Sequence, residues 1–227
     1  MTSENLLTVA EKRAKSGWMF STVALRLKDG TSVVYNPTKN LPASAHEAIL
    51  GVGRPSVLLA PNHYHNLGLP EFAERYPGVR CVCSETARPR LVRQTGLTFE
   101  GLPTLATQLP DAAAILAPPG TRNGEVFLTV EGDAGPVWIV CDAFFNVPKH
   151  PTGSIGFFTQ LFGVTAGLRI GQPFKWIGLR DRAAYAQWIL ARLHETPPAV
   201  LIPSHGVPMQ GPDLGARLIA LVERRLM

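Results

Sequence analysis

Two histidines separated by a single residue, His63 and His65, are the side chains of this sequence best suited to metal chemistry. They follow a short apolar run at residues 56–60, which is typical of a buried strand. Side chains at i and i+2 of an extended segment project to the same side, so both imidazoles are expected to face one point. Imidazole is the commonest metal ligand of proteins, and this pair would supply half of a metal site.

Two further apolar runs end in residues that could complete the site. Residues 137–141 lead into Asp142, and residues 199–203 lead into His205. Any one of these histidines alone is most simply a core or surface residue, but the combination fits one chemistry. Three strand patterns that end in ligand-type residues indicate a site collected at one edge of a sheet. We predict four metal ligands: His63, His65, Asp142 and His205.

Composition places the chain among globular proteins. It has 227 residues, of which 45% are hydrophobic and 17% charged, with 20 prolines and 21 glycines. This length and composition fit a single domain over residues 1–227, with short strands joined by tight turns. The formal net charge is +5, and the arginines are dispersed. We interpret them as solvated helix faces and predict no nucleic-acid partner.

Cysteine usage and hydropathy indicate a compartment. The three cysteines, Cys81, Cys83 and Cys141, lie in apolar strand patterns, which favours free, buried thiols in a reducing environment. Cys81 and Cys83 could bind metal, but two core thiols on one strand face are the favoured interpretation. Residues 1–15 contain no apolar core of a signal peptide, and nowhere do about 18 apolar residues run together. We therefore predict a cytoplasmic protein with no membrane partner.

Periodicity and turn signals divide the chain into two β-rich halves with helices attached. Strands are predicted at residues 20–27, 32–35, 56–60, 79–83, 112–117, 125–130, 136–141 and 199–203. Helices are predicted at residues 43–50, 69–76, 84–94, 181–194 and 213–225, with Asp181 as a helix cap. The remaining histidines, His46, His150 and His194, lie on polar or helical segments and are interpreted as surface residues.

The motifs and their order resemble the metallo-β-lactamase superfamily along the whole chain. That family carries His-x-His-x-Asp-His after a strand, another His in mid-chain, an Asp after a later strand and a His-Gly near its end. His63 and His65 match the first motif, Asp142 matches the aspartate that bridges two metals, and His205 with Gly206 matches the closing pair. The resemblance implies a four-layer αββα sandwich of mixed sheets and a metal-dependent hydrolase.

The sequence departs from the family pattern at three ligand positions. Leu67 and Gly68 stand where the signature has Asp and His, and no histidine lies near residues 118–122, where the middle one falls. Asn36-Pro37 occupies the place of an early Asp-containing turn. Two cations held by only four side chains would leave much positive charge uncompensated. We expect one divalent transition metal (zinc, iron or manganese) or none.

These observations predict a divergent hydrolase that activates water on its metal and cleaves an ester, thioester, lactone or phosphoester of a small molecule. Asp142 is the predicted catalytic carboxylate, because it can offset the charge of the cation and orient the attacking water. The alternative is a metal-free, non-catalytic member of the fold that binds a ligand or partner. The apolar segment at residues 153–174 is expected to cover the substrate or form a homodimer contact, and a plain hydrophobic helix fits it equally well.

Overall fold

A computed structural model describes residues 6–13, 19–148 and 166–227, with the backbone alone in residues 6–13. The strands in these ranges are β1 (Leu6–Arg13), β2 (Met19–Arg26), β3 (Ser32–Tyr35), β4 (Pro55–Leu59), β5 (Arg80–Cys83), β6 (Phe99–Gly101), β7 (Ala113–Leu116), β8 (Phe127–Gly132), β9 (Gly135–Val140), β10 (Phe145–Val147), β11 (Gly167–Arg169), β12 (Val200–Pro203) and β13 (Met209–Gln210). The helices are α1 (Ala43–Val52), α2 (Leu69–Arg75), α3 (Arg88–Thr95), α4 (Leu102–Ala106), α5 (Arg182–Glu195) and α6 (Leu214–Leu226), together with a π-helical turn, Phe174–Gly178.

The first sheet contains strands β1 to β6 in sequence order. Its first three strands pair antiparallel, and β3 to β6 pair parallel to one another. Parallel strands end at the same edge of a sheet, and Tyr35 at the end of β3 lies opposite Leu59 at the end of β4. The residues that follow these two strands therefore emerge side by side.

The second sheet has the order β13-β12-β9-β8-β7, and β10 and β11 form a separate two-stranded sheet. Within the second sheet only β9 and β12 are parallel, and Val140 lies opposite Pro203 at their shared end. Asp142 and His205 each follow two residues later. The pairing of β9 with β12 thus brings two of the predicted ligands to one sheet edge.

The two sheets pack face to face with helices on both outer faces. Alternate side chains of β4 divide between two layers, because Val57 and Leu59 face the second sheet while Leu58 faces the helices. In the core between the sheets, Val57 and Leu59 pack in one cluster with Ile139 of β9 and Ile202 of β12. This packing confirms the predicted αββα sandwich.

Each outer layer is held by an apolar helix stripe. On the first sheet, Ile49 of α1, Phe72 of α2 and Leu91 of α3 pack in one cluster with Leu58. On the second sheet, α5 and α6 cover Trp138. The buried residues of α6 recur at a helical spacing, Leu214, Leu218, Leu221 and Val222. The extent of a single domain over residues 1–227 remains a prediction.

Two details of the sequence interpretation are wrong. Helix α3 begins at Arg88 and not at residue 84, because the Ser84 hydroxyl donates to the carbonyl of Gly124 and accepts from the Ala87 amide in a preceding turn. His46, predicted at the surface, is buried. Its Nδ1 atom forms a hydrogen bond with the Tyr76 hydroxyl at 2.9 Å. His194 is exposed as predicted, Asp181 caps α5 through the Ala184 amide, and His150 lies outside the described residues.

The predicted segment at residues 153–174 lies largely outside the described residues. Its described part contains β11 and the start of the π-helical turn. Its roles as a substrate cover or a dimer contact remain predictions. Among the helices of the described ranges, none has both the length and the apolar composition needed to cross a bilayer.

The three cysteines are free and buried, as predicted. Burial raises the pKa of the Cys81 and Cys83 thiols to about 11. At pH 8 we expect the native protein to react with a disulfide reagent at least about 100-fold more slowly than the unfolded chain, because thiolate is the reactive form. The release of thionitrobenzoate with and without denaturant measures this ratio. A stoichiometric fast thiol in the native protein would contradict the prediction.

Candidate metal centre

The ends of four strands supply the polar side chains of this centre. Asn36 follows β3, and the segment with His65 follows β4, so the first sheet contributes two of them. Asp142 follows β9 and His205 follows β12, at the neighbouring edge of the second sheet. Isolated bridges tie the His205 segment to both sides, since His205 pairs with Phe20 of β2 and Gly206 with Asn146 of β10.

His65, Asp142 and His205 form a compact cluster. The Nε2 atom of His65 lies 3.2 Å from Oδ1 of Asp142, and Nε2 of His205 lies 3.0 Å from the same oxygen. The two Nε2 atoms are 3.1 Å apart. All three side chains are largely buried, and Asp142 is 15% exposed. The structure therefore brings three of the four predicted ligands together.

The cluster has the dimensions and the donors of a metal site. Around a tetrahedral zinc, ligand atoms at about 2.0–2.2 Å from the metal are about 3.3–3.6 Å from one another. The observed triangle of 3.0–3.2 Å needs only a small expansion to reach that size. Two imidazole nitrogens and one carboxylate oxygen suit zinc and also non-haem iron. The residues present therefore fit one cation.

Cys141 lies beside the cluster. Its sulfur and ligand atoms of His65 and Asp142 are all within 4.8 Å of one another. Burial raises the pKa of the Cys141 thiol well above its usual range, and the nearby carboxylates of Asp142 and Glu125 add to that effect. The thiolate is the form that binds a metal, so Cys141 would have to release its proton to act as a further ligand.

His63 does not join the cluster. The segment after β4 is a turn, because the Asn62 side chain accepts from the Tyr64 amide and the Asn62 carbonyl accepts from the His65 amide. The i, i+2 rule for extended chains therefore fails here, and the two imidazoles diverge. Nε2 of His63 faces Nη1 of Arg90 at 3.4 Å. Burial lowers the pKa of His63 to about 4, and the Arg90 guanidinium adds to this shift.

Asn36 fixes the orientation of His65. Its Oδ1 lies 2.7 Å from Nδ1 of His65, and its Nδ2 donates to the Ser21 carbonyl, so the amide can only accept from the imidazole. A ring that donates from Nδ1 directs Nε2 toward Asp142. Metal-binding histidines are commonly held by such an acceptor on the second ring nitrogen. The backbone of Asn36 has a φ of +55°, a conformation that asparagine tolerates better than most residues.

A buried polar network holds Asp142 from behind. The Nδ2 atom of Asn62 donates to Oδ2 of Asp142 at 2.8 Å and to the Glu125 carboxylate at 2.9 Å. Glu125 also accepts from the backbone amides of Cys141 and Ala143, which flank Asp142, and from the Asn123 side chain. Four donors thus converge on one buried carboxylate, and they fix the turn that carries Asp142.

Sequence reasoning missed Asn62, Asn123 and Glu125. Glu125 carried the strongest available signal, because it is a lone carboxylate directly before the apolar residues 126–128. A carboxylate next to an apolar run is seldom buried unless polar or charged groups are paired with it, so Glu125 could indicate a buried polar network. Burial raises the pKa of the Glu125 carboxyl, and the charge of Asp142 adds to that rise.

The electrostatics of the cluster depend on the ion pair between Asp142 and His65. Burial opposes the charged form of each group. The Asp142 carboxylate nonetheless raises the pKa of His65, and His65 together with His205 holds the pKa of Asp142 well below its usual range. Burial lowers the pKa of His205, and the charge of His65 contributes to that shift. The charged forms of Asp142 and His65 therefore stabilise each other, whereas the surroundings of His205 favour its neutral form.

Comparison with known proteins identifies the architecture. The sequence matches no family model and no curated protein. Solved structures do match: a metallo-β-lactamase from Pontibacter korlensis has a TM-score of 0.57 and 13% identity, with 99% of this chain and 98% of that one covered. The mono-zinc form of the metallo-β-lactamase FIM-1 from Pseudomonas aeruginosa gives 0.55 and 15%, over 98% and 97%. The chain has the metallo-β-lactamase fold.

The same fold occurs in a larger redox protein. Rubredoxin oxygen:oxidoreductase from Desulfovibrio gigas has a TM-score of 0.63 and 10% identity, and the match covers 97% of this chain but 59% of that protein. The predicted resemblance is thus confirmed for the fold. Identities this low carry no activity from one protein to another.

Two of the departures from the metallo-β-lactamase signature, at Gly68 and in the middle region at Gly120, have a steric basis. A Cβ at Gly68 would overlap the carbonyl of Pro37 and crowd the amide of Lys39, so the backbone after β3 fills the space that a histidine would need. Leu67 is 73% exposed and lies at the surface. In the middle region, a Cβ at Gly120 would overlap the carbonyl of Asp181. The second set of ligands cannot be supplied at Gly68 without moving the main chain.

Restoring the signature residue at Gly68 should therefore damage the fold. We expect Gly68→His to lower the free energy of unfolding by about 3 kcal/mol or more, because its Cβ meets backbone atoms that cannot rotate away. Leu67→Asp, the matched control at the exposed neighbouring position, should unfold like the wild type. Urea unfolding monitored by circular dichroism measures both. A stable Gly68→His protein that binds a second metal would show that the main chain yields.

Replacing the buried carboxylate of the network should also cost stability. Glu125→Gln keeps the shape but turns an amide NH₂ toward N–H donors, so we expect a loss of about 1–3 kcal/mol in the free energy of unfolding. Glu131→Gln, at an exposed position of β8, is the control and should change it by less than about 0.5 kcal/mol. Equal stability of the two variants would mean that the network contributes nothing to folding.

Proposed function

We propose that this protein is a metal-dependent hydrolase that holds one divalent cation through His65, Asp142 and His205. The observation that carries the proposal is the triangle of their ligand atoms, 3.0–3.2 Å on each side, at the edge where both sheets end. Solved structures of the same fold that are metallo-β-lactamases support it. Zinc, iron and manganese are the candidate cations.

A cation at this centre would lower the pKa of a coordinated water and polarise the oxygen of a carbonyl or phosphoryl substrate. The protein's own part is to arrange the groups around it. Asn36 accepts a hydrogen bond from Nδ1 of His65, which leaves the lone pair of Nε2 to bind the cation. Asn62 binds Oδ2 of Asp142, so that Oδ1 stays directed at the two imidazoles. Asp142 offsets positive charge and orients the attacking water by accepting a hydrogen bond.

The substrate classes that suit this chemistry are esters, thioesters, lactones and phosphoesters of small molecules. Among the described residues, three side chains are proposed as ligands of one centre, and Gly68 leaves no room for the histidine of a second centre. We therefore propose one cation per chain. A catalytic zinc with three protein ligands keeps a position open for water or substrate.

A second candidate is a metal-free protein of this fold that binds a ligand without hydrolysing it. The observation that favours it is the set of hydrogen bonds within the cluster. Asp142 accepts from His65, His205 and Asn62, so its carboxylate is satisfied by protein groups alone. Metal content separates this candidate from the first.

Elemental analysis and hydrolysis assays on four proteins test the proposal. Wild-type protein purified without chelator should contain close to one transition metal per chain and hydrolyse at least one ester, thioester, lactone or phosphoester. His65→Ala and Asp142→Asn should lose the metal and lower kcat/KM by about 100-fold, because a ligand and the charge balance are removed. Circular dichroism checks that both variants are folded.

His63→Ala is the matched control in the same turn. Sequence reasoning predicts that it loses metal and activity like the ligand variants, but the geometry predicts the opposite, because His63 faces Arg90. We expect it to keep its metal and to stay within about threefold of the wild-type rate, well below one bonded ligand's effect. Full activity in metal-depleted wild type would contradict the proposed metal dependence of the hydrolase. Two metals per chain would contradict the proposal of a single cation.

A further inference from the structure

Two cavities border the cluster in the part of the chain that the structure describes. The larger, about 280 Å³, has His65 and His205 in its wall. The smaller, about 160 Å³, has Asp142 in its wall. Tyr64 lines both cavities.

The larger cavity has an apolar side and a polar side. Phe20, Pro37 and Leu67 form the apolar side, and the loop after β3 adds Asn36, Thr38 and Lys39. Leu67 is a large apolar side chain left 73% exposed at this site. A bound apolar group would cover it.

The smaller cavity is formed mainly by the π-helical turn and the start of β10. Phe145, Phe174 and Ile177 provide its apolar surface, and Asn123 is its polar residue beside Asp142. Ile177 is 48% exposed although it borders this cavity. Both cavities thus end in an exposed aliphatic side chain.

One aromatic residue from each cavity packs against the ring of His205. Phe20, from the larger cavity, contacts it edge-on with centroids 5.3 Å apart. Phe145, from the smaller cavity, stacks on it at 5.0 Å. The larger cavity reaches the cluster at His65 and His205, and the smaller one reaches it at Asp142, so a group bound at the cluster has an apolar cavity beside it at both places.

We propose that the substrate has an apolar arm on each side of the bond that is cleaved, one arm in each cavity. This inference rests on the proposed hydrolase function and names its substrate class: an ester or thioester with an apolar acyl group and an apolar leaving group. The larger arm occupies the cavity beside Leu67, and the smaller arm occupies the cavity beside Ile177.

Binding of ketones tests the two arms without hydrolysis. Dibutyl ketone resembles an ester with two apolar arms, and butyl methyl ketone lacks one of them. Each buried methylene strengthens binding by about fourfold. We expect the wild type to bind dibutyl ketone at least about tenfold more tightly than butyl methyl ketone. The measurement is an equilibrium titration followed by ligand-observed NMR.

Charged substitutions at the two exposed rims locate the arms. Leu67→Asp and Ile177→Asp should each weaken dibutyl ketone binding by about fivefold or more, while butyl methyl ketone stays within about twofold because it can use the intact cavity. The two effects should multiply in the double variant. Val92→Asp, at an exposed apolar residue of α3, is the control and should change neither affinity.

The outcomes separate this inference from the function on which it rests. If only one of the two rim variants has an effect, or if each weakens both ketones equally, the two-arm proposal is wrong. If the ketones behave as expected but no ester is hydrolysed, the cavities are assigned correctly and the hydrolase proposal fails. Ester hydrolysis that is indifferent to the length of either arm would retain the hydrolase and overturn the two-arm substrate.

Discussion

A carboxylate that is largely removed from solvent must be matched by positive charge or by hydrogen-bond donors, or it destabilises the protein that buries it. Asp142 meets this requirement with His65 and Asn62, which lie in the connection after β4, and with His205, which lies in the connection after β12. These contacts join the two sheets at the edge where their apolar core stops. The pairing of one carboxylate thus aligns the two halves of the sandwich and at the same time assembles the donor atoms of the candidate centre.

The supporting groups form a second, mostly neutral layer behind this pair. Asn36 directs one imidazole, and Asn62 connects Asp142 to the fully buried Glu125. Glu125 binds the amides on both sides of Asp142, so the turn after β9 has little freedom. Rigid support of this kind is what a catalytic or metal-binding geometry needs, because small displacements of the donor atoms cost affinity.

Much of this arrangement could be predicted from the sequence, for identifiable reasons. Strand ends are visible as apolar runs that stop at polar residues, and this pattern alone predicts that Asp142 and His205 lie together. The burial of the cysteines was predictable in the same way, whereas the four-layer fold was predicted from the two β-rich halves and from the resemblance of the motif order to the metallo-β-lactamase superfamily. The prediction of His63 as a ligand was wrong because it assumed an extended chain beyond the end of the strand. The turn at Asn62 rotates His63 away from His65, and hydrophobic periodicity does not predict such a turn. His46 was misjudged because its partner Tyr76 is 30 residues away. The steric reason for a glycine at position 68 could not be predicted, because the Pro37 carbonyl that blocks a side chain there belongs to another segment.

The contacts of Asp142 also impose an order on folding during synthesis. Its partners His65 and His205 lie 77 residues before it and 63 residues after it in the chain. A ribosome that has released residue 142 has already delivered β4 and His65, but not β12. Until His205 emerges, the nascent sandwich has an incomplete second sheet and a carboxylate with one imidazole partner fewer than in the finished fold. Contacts of such long range are slow to form. The candidate centre is therefore completed only when β12 pairs with β9 and brings His205 to Asp142.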